Sequence, residues 1–147
     1  MENFVKPSYQ GVSMPEAIKL LFKNYANFRG RSSRSEYWWV YLAQQIVFFP
    51  LCMAFQVLEY MVKDGYGITI GFAIIMACVG LFMFMLAMAL LVPVLALACR
   101  RLHDIGKSGW WLFIDLIPIV GSIILIVWMI RGSDPGENEF GDTVVKD

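Results

Sequence analysis

From Ile68 to Cys99 the chain runs 32 residues without one Asp, Glu, Lys or Arg. A helix that is apolar on every side must be buried in a large core or in lipid. The rest of a 147-residue chain could not wrap it. Two further runs have the same character. Tyr37–Leu58 is 22 residues without a charge, and Trp110–Ile130 is 21 residues with a single charge, Asp115. About 20 apolar residues cross a hydrocarbon core ~30 Å thick. Composition agrees: 59% of residues are hydrophobic and 16% charged, against roughly 45–50% and about 25% in soluble domains. The pattern predicts a single-domain, all-α integral membrane protein. It excludes a disordered chain, a nucleic-acid-binding domain and a disulfide-stapled secreted fold.

Residues 37–58, 68–99 and 110–130 are expected to form three transmembrane helices. The second run would reach about 48 Å as a straight helix, so tilt and a kink at Pro93 are expected to absorb its length. A split of this run into two crossings is the alternative, and it would move Arg100 and Arg101 to the far side. Ser33 and Glu36 have capping-box spacing ahead of the first span. Gly106 can stop the second span and Ser108 can cap the third, which makes the last two a tight hairpin. Gly132 and Pro135 end the third, leaving 132–147 as a polar, turn-rich tail.

Residues 13–28 precede the spans. Ser13 and Glu16 repeat the S-x-x-E spacing, with Pro15 in the first turn, where proline is tolerated. Met14, Ile18, Leu21, Tyr25 and Phe28 recur on one face, and Lys19 and Lys23 lie on the other. This predicts an amphipathic helix lying in the interface plane.

With three spans, nine cations (Lys6, Lys19, Lys23, Arg29, Arg31, Arg34, Arg100, Arg101, Lys107) share one side and three (Lys63, Arg131, Lys146) the other. Basic residues gather on the cytoplasmic side, so the N-terminus is expected inside and the tail outside. Trp38–Trp39, Trp110–Trp111 and Trp128 stand at span ends as interfacial anchors. Cys52, Cys78 and Cys99 lie in apolar runs and read as small soft hydrophobes. With a single histidine, no metal site or cofactor is expected.

The densest polar cluster is Arg100–Arg101–Leu102–His103–Asp104–Ile105–Gly106–Lys107–Ser108–Gly109–Trp110–Trp111. Arginine suits bidentate phosphate contact, and basic interfacial pockets bind anionic lipids. Arg29, Arg31, Arg34, Arg100, Arg101, His103, Lys107 and Trp110 are therefore the lipid- or phosphate-binding candidates. The plainer alternative is topogenic charge closed by internal ion pairs with Glu36 and Asp104. Asp115 lies inside the third span, where a carboxylate must face protein or water. It is expected to pair with Arg100 or Arg101 across the hairpin, and a proton or cation relay is its other reading.

Phe28–Arg29–Gly30–Arg31, Arg34 and Glu36–Tyr37–Trp38, then Arg100 to Gly106, Ser108–Gly109–Trp110–Trp111, Pro118 and Gly121, and finally Gly132, Gly136–Glu137–Asn138 and Phe140–Gly141, resemble three signatures of the domain-of-unknown-function 805 family. The resemblance implies a bacterial inner-membrane location and a helical fold of a few spans. It implies no activity. The long second run and Asp115 depart from the family pattern.

No second histidine, nucleophile–base pair or carboxylate dyad supports enzyme chemistry. The reading is a small non-enzymatic membrane scaffold that self-associates or binds a partner membrane protein, with anionic lipid on its basic-aromatic face. A subunit of an oligomeric transporter or channel that uses Asp115 is the alternative. Nucleic acid is not an expected partner.

Overall fold

The structure is a computed structural model that describes residues 11–63 and 70–142. Lys6, Asp64, Lys146 and Asp147, together with the start of the second run at 68–69 and the tail beyond 142, lie outside the described residues. Every regular element is helical: α1 (Met14–Lys23), α2 (Arg34–Lys63), α3 (Ile70–Asp104), a 3₁₀ helix (Gly109–Leu116) and α4 (Val120–Ile130). The chain divides into two compact units. One draws on Met1–Val40 and Val92–Asp147, the other on Tyr41–Leu91.

The second unit holds the bodies of α2 and α3, which are long and apolar enough to cross a membrane. Their side chains face outward, among them Phe49, Ile70, Leu81 and Met85. Both helices run through their prolines, Pro50 and Pro93, without a break.

All the buried core side chains among the described residues lie in the first unit. On one flank of α3, Leu97 packs with Val40 and with Val12, Ala17, Leu20 and Leu21 from in and around α1. On the other, Ala98, Leu102 and Ile105 pack against Met129 of α4, with Leu112, Leu125 and Trp128 around them. Each fully buried leucine contributes about 1.5–3 kcal/mol. The apolar face of α1 is thus turned into the protein, while Phe22 stays exposed. The helix ends at Lys23 rather than Phe28, and the Ser13 hydroxyl makes no capping bond. Before α2 the capping box is half made: the Glu36 amide donates to Ser33 Oγ at 3.2 Å.

Helix α3 stops where Gly106 takes a φ of +69°, a left-handed conformation that a side chain would strain. The Gly106 amide donates to the His103 carbonyl and the Lys107 amide to that of Leu102. That bonding pattern is a Schellman termination. Ser108 Oγ accepts from the Trp110 amide.

The third apolar run is not one helix. A 3₁₀ arm over Gly109–Leu116 and α4 over Val120–Ile130 meet at Ile117–Ile119. Pro118 has no amide hydrogen and pushes the residue before it into extended backbone, and Ile117 is extended. Ile119 follows at φ 67° and ψ −60°, with the Val120 amide donating to the Pro118 carbonyl at 2.7 Å. This is a γ-turn of the strained, positive-φ kind. The arms then run antiparallel: Ser122 donates to Asp115 near the turn, and Trp111 meets Trp128 edge-to-face at the mouth, 5.5 Å between centroids. Each arm is only about 16 Å long, half the thickness of a hydrocarbon core. Gly121 permits the return, since a Cβ there would collide with the Ile114 carbonyl.

Candidate functional site

The last turn of α3 gathers the polar side chains of the first unit into a buried knot. Asp104 stands at its centre. Its Oδ1 accepts from Arg31 Nε at 3.0 Å, and its Oδ2 accepts from Arg101 Nη1 and the Ser133 hydroxyl. Side-chain exposure is 1% for Arg31 and 0% for Arg101 and Asp104. A third buried ion pair joins Arg100 Nη2 to Glu36 Oε1 at 3.4 Å.

Three buried guanidiniums face two carboxylates, and carbonyl oxygens supply the balance. Each arginine docks a different segment onto α3. Arg100 donates to Ser32 Oγ and to the carbonyls of Asn24 and Asn27, just beyond the end of α1. Arg101 donates to the carbonyls of Met129 and Arg131 at the end of α4. Those are the free acceptors and the negative dipole end that a cation satisfies at a helix C-terminus. Arg31 donates to the carbonyls of Gly136, Gly141, Asp134 and Asp104. With Nε on the Asp104 carboxylate, all five of its N–H groups are taken. No buried side-chain nitrogen or oxygen among the described residues lacks a partner. A buried charge demands this, because an unpaired one costs several kcal/mol.

His103 completes the knot. Its Nδ1 lies 3.2 Å from the Gly30 carbonyl, which can only accept, so the proton sits on Nδ1. Its ring stacks on Phe140 with centroids 3.9 Å apart. Asn138 Nδ2 donates to its carbonyl at 2.9 Å, and the Asp134 amide donates to that of Asp104 at 3.0 Å.

These contacts correct three expectations. The tail does not leave from the opposite end: Ser133, Asp134, Asn138 and Phe140 are fastened to the end of α3, beside Arg31. Asp115 does not pair with Arg100 or Arg101, which hold Glu36 and Asp104 instead. It is exposed, and its Oδ1 accepts from the Ser122 hydroxyl at 2.6 Å. Third, Arg31, Arg100 and Arg101 are consumed internally and offer no open face to a headgroup, while His103 spends Nδ1 on the Gly30 carbonyl and lines a neighbouring pocket. Of the remaining candidates Arg29 and Arg34 are exposed, as is Trp110 at 78%. Lys107 is half-buried, its Nζ 4.4 Å above the Trp128 ring. Sequence reasoning missed Ser32, Asn24 and Asn27 as partners of Arg100, and Ser133 as a partner of Asp104. They carry no charge and lie far along the chain.

An all-helical protein with two long apolar helices, whose ends are tied by a buried arginine–carboxylate knot, is the class these features define. The family model described as "Protein of unknown function (DUF805)" matches residues 25–142, and the chain belongs to that family. It is similar to the inner membrane protein YhaH of Escherichia coli (strain K12), 37% identical over 124 residues that cover 84% of this chain and 91% of the relative. It is also similar to the inner membrane protein YhaI of the same strain, 33% identical over 126 residues, 83% of this chain and 89% of the relative. No solved structure matches the chain.

Proposed function

We propose that this is a non-enzymatic, multi-pass inner-membrane scaffold that seats a basic-aromatic face on anionic lipid at the cytoplasmic surface and associates with copies of itself or a partner membrane protein. Helices α2 and α3 cross the bilayer. The 3₁₀ arm and α4 dip into the cytoplasmic leaflet and return, and α1 lies along the interface. The family and its inner-membrane relatives support the location. The outward-facing apolar side chains of α2 and α3 support it too, since such surface marks contact with lipid or protein.

The observation that carries the lipid reading is the sorting of the cations. Three arginines are neutralised inside the knot, which leaves Arg29, Arg34 and Lys107 as the cations of the candidate set that can meet a headgroup, with exposed Lys19, Lys23 and Arg131 at the same end. Exposed Phe28 adjoins Arg29, and Lys107 lies over the Trp111 and Trp128 rings. Each basic residue near an anionic surface is worth about 1 kcal/mol. Arg29→Gln, Arg34→Gln and Lys107→Gln combined should lower the phosphatidylglycerol retained by the purified, folded protein, measured by lipid mass spectrometry. Retention equal to the parent's would reject the lipid-seating role.

A further inference from the structure

A pocket of about 640 Å³ opens beside the knot, lined by Phe28, by Leu95, Cys99 and His103 of α3, and by the 3₁₀ arm. Its size is within the range of small-molecule sites, roughly 300–1,000 Å³. Three aromatic rings line it: Phe28, Trp110 and Phe113. The last two stack with centroids 5.6 Å apart.

The polar lining is rich in acceptors and contains no Lys or Arg. The His103 proton sits on Nδ1, which leaves Nε2 with a lone pair, 3.5 Å from the Cys99 sulfur. The Asp115 carboxylate has one bond, from Ser122 to Oδ1, and no cation among the described residues pairs with it. That carboxylate is exposed on an otherwise apolar arm and offers an open counter-charge to a cation. An anionic ligand would face that carboxylate with nothing to offset it. A neutral amphiphile would leave the carboxylate as it is.

We infer that this pocket binds a hydrophobic ammonium ion, with the cationic head between the Asp115 carboxylate and the rings of Phe28, Trp110 and Phe113, and the apolar body along Leu95. Aromatic faces attract alkylammonium groups through the ring quadrupole. The charge pairs with Asp115, and a primary ammonium can also donate to the carboxylate. The head can come from two sources, the ethanolamine headgroup of a lipid or a free amphiphilic amine.

The test uses the full chain in phosphatidylglycerol nanodiscs, titrated with dodecylammonium. One equivalent should bind, and Asp115→Asn should weaken it by about tenfold, as loss of one charge-assisted contact does. Asp115→Glu should largely restore it. Trp110→Leu, on the exposed rim, gives an independent loss of several-fold. Dodecyl sulfate and dodecanol should not compete. Adding phosphatidylethanolamine separates the sources: competition with the probe assigns the site to the lipid headgroup, and no competition assigns it to a free amine. Equal affinity in Asp115→Asn and parent, competition by dodecyl sulfate, or no saturable binding by the parent would each overturn the inference.

Discussion

Asp104 and Asp115 are both aspartates close to apolar helix, yet their surroundings give them opposite weight. Asp104 is buried and holds Arg31, Arg101 and the Ser133 hydroxyl at once. Asp104→Asn keeps the volume but leaves two buried guanidiniums short of a counter-charge, and breaking such a pair costs about 3–5 kcal/mol. Asp115→Ala removes one hydrogen bond between neighbouring arms, worth roughly 1 kcal/mol. Thermal unfolding in detergent should therefore rank Asp104→Asn well below Asp115→Ala; a reversed order would contradict the knot. Arg31→Met combined with Asp104→Asn should also cost less than the sum of the two, because the residues are in direct contact. The sequence made the arginines, Glu36 and Asp104 visible as a charged cluster near apolar runs. It did not reveal their burial, because nothing in a run of charges says which neighbours arrive from 30 or 70 positions away. Asp115 drew the arginine pairing because a tight hairpin between two straight spans would set the start of its run beside the end of the run before it.

At the scale of elements, the long apolar runs were legible because their length exceeds anything a small soluble domain can cover, and Gly106 marked the end of α3. The run from Trp110 to Ile130 misled because composition counts residues and does not see where the backbone turns. Pro118 carried the missing signal: a proline at mid-run removes an amide and forces its predecessor out of the helix. The turn it starts leaves Ile119, a β-branched residue, at φ 67°. Such a conformation costs a non-glycine residue about 1–2 kcal/mol. Ile119→Gly should raise the unfolding temperature or leave it unchanged, even though an exposed isoleucine is lost. Gly121→Ala should lower it sharply, because its methyl would meet the Ile114 carbonyl. If Ile119→Gly is as destabilising as Gly121→Ala, the arms do not meet in this turn.

For the whole molecule, the two corrections at smaller scale act together on topology. Once the last apolar run returns to the end it left, Arg131 and the tail rejoin the other cations. In the proposed two-crossing reading, nine of the ten Lys and Arg residues within the described segments would share one side, with Lys63 on the other. The three-span reading would move Arg131 across and divide those ten eight to two. On that proposed reading the positive-inside bias would be stronger than with three spans. A reporter fused after Asp147 should read as cytoplasmic, and one inserted between Glu59 and Gly67 as exported. An exported signal after Asp147 would require α4 to finish across the bilayer. The Asp134 amide could not then reach the Asp104 carbonyl, nor Phe140 stack on His103, so that single reading would remove the tail from the knot.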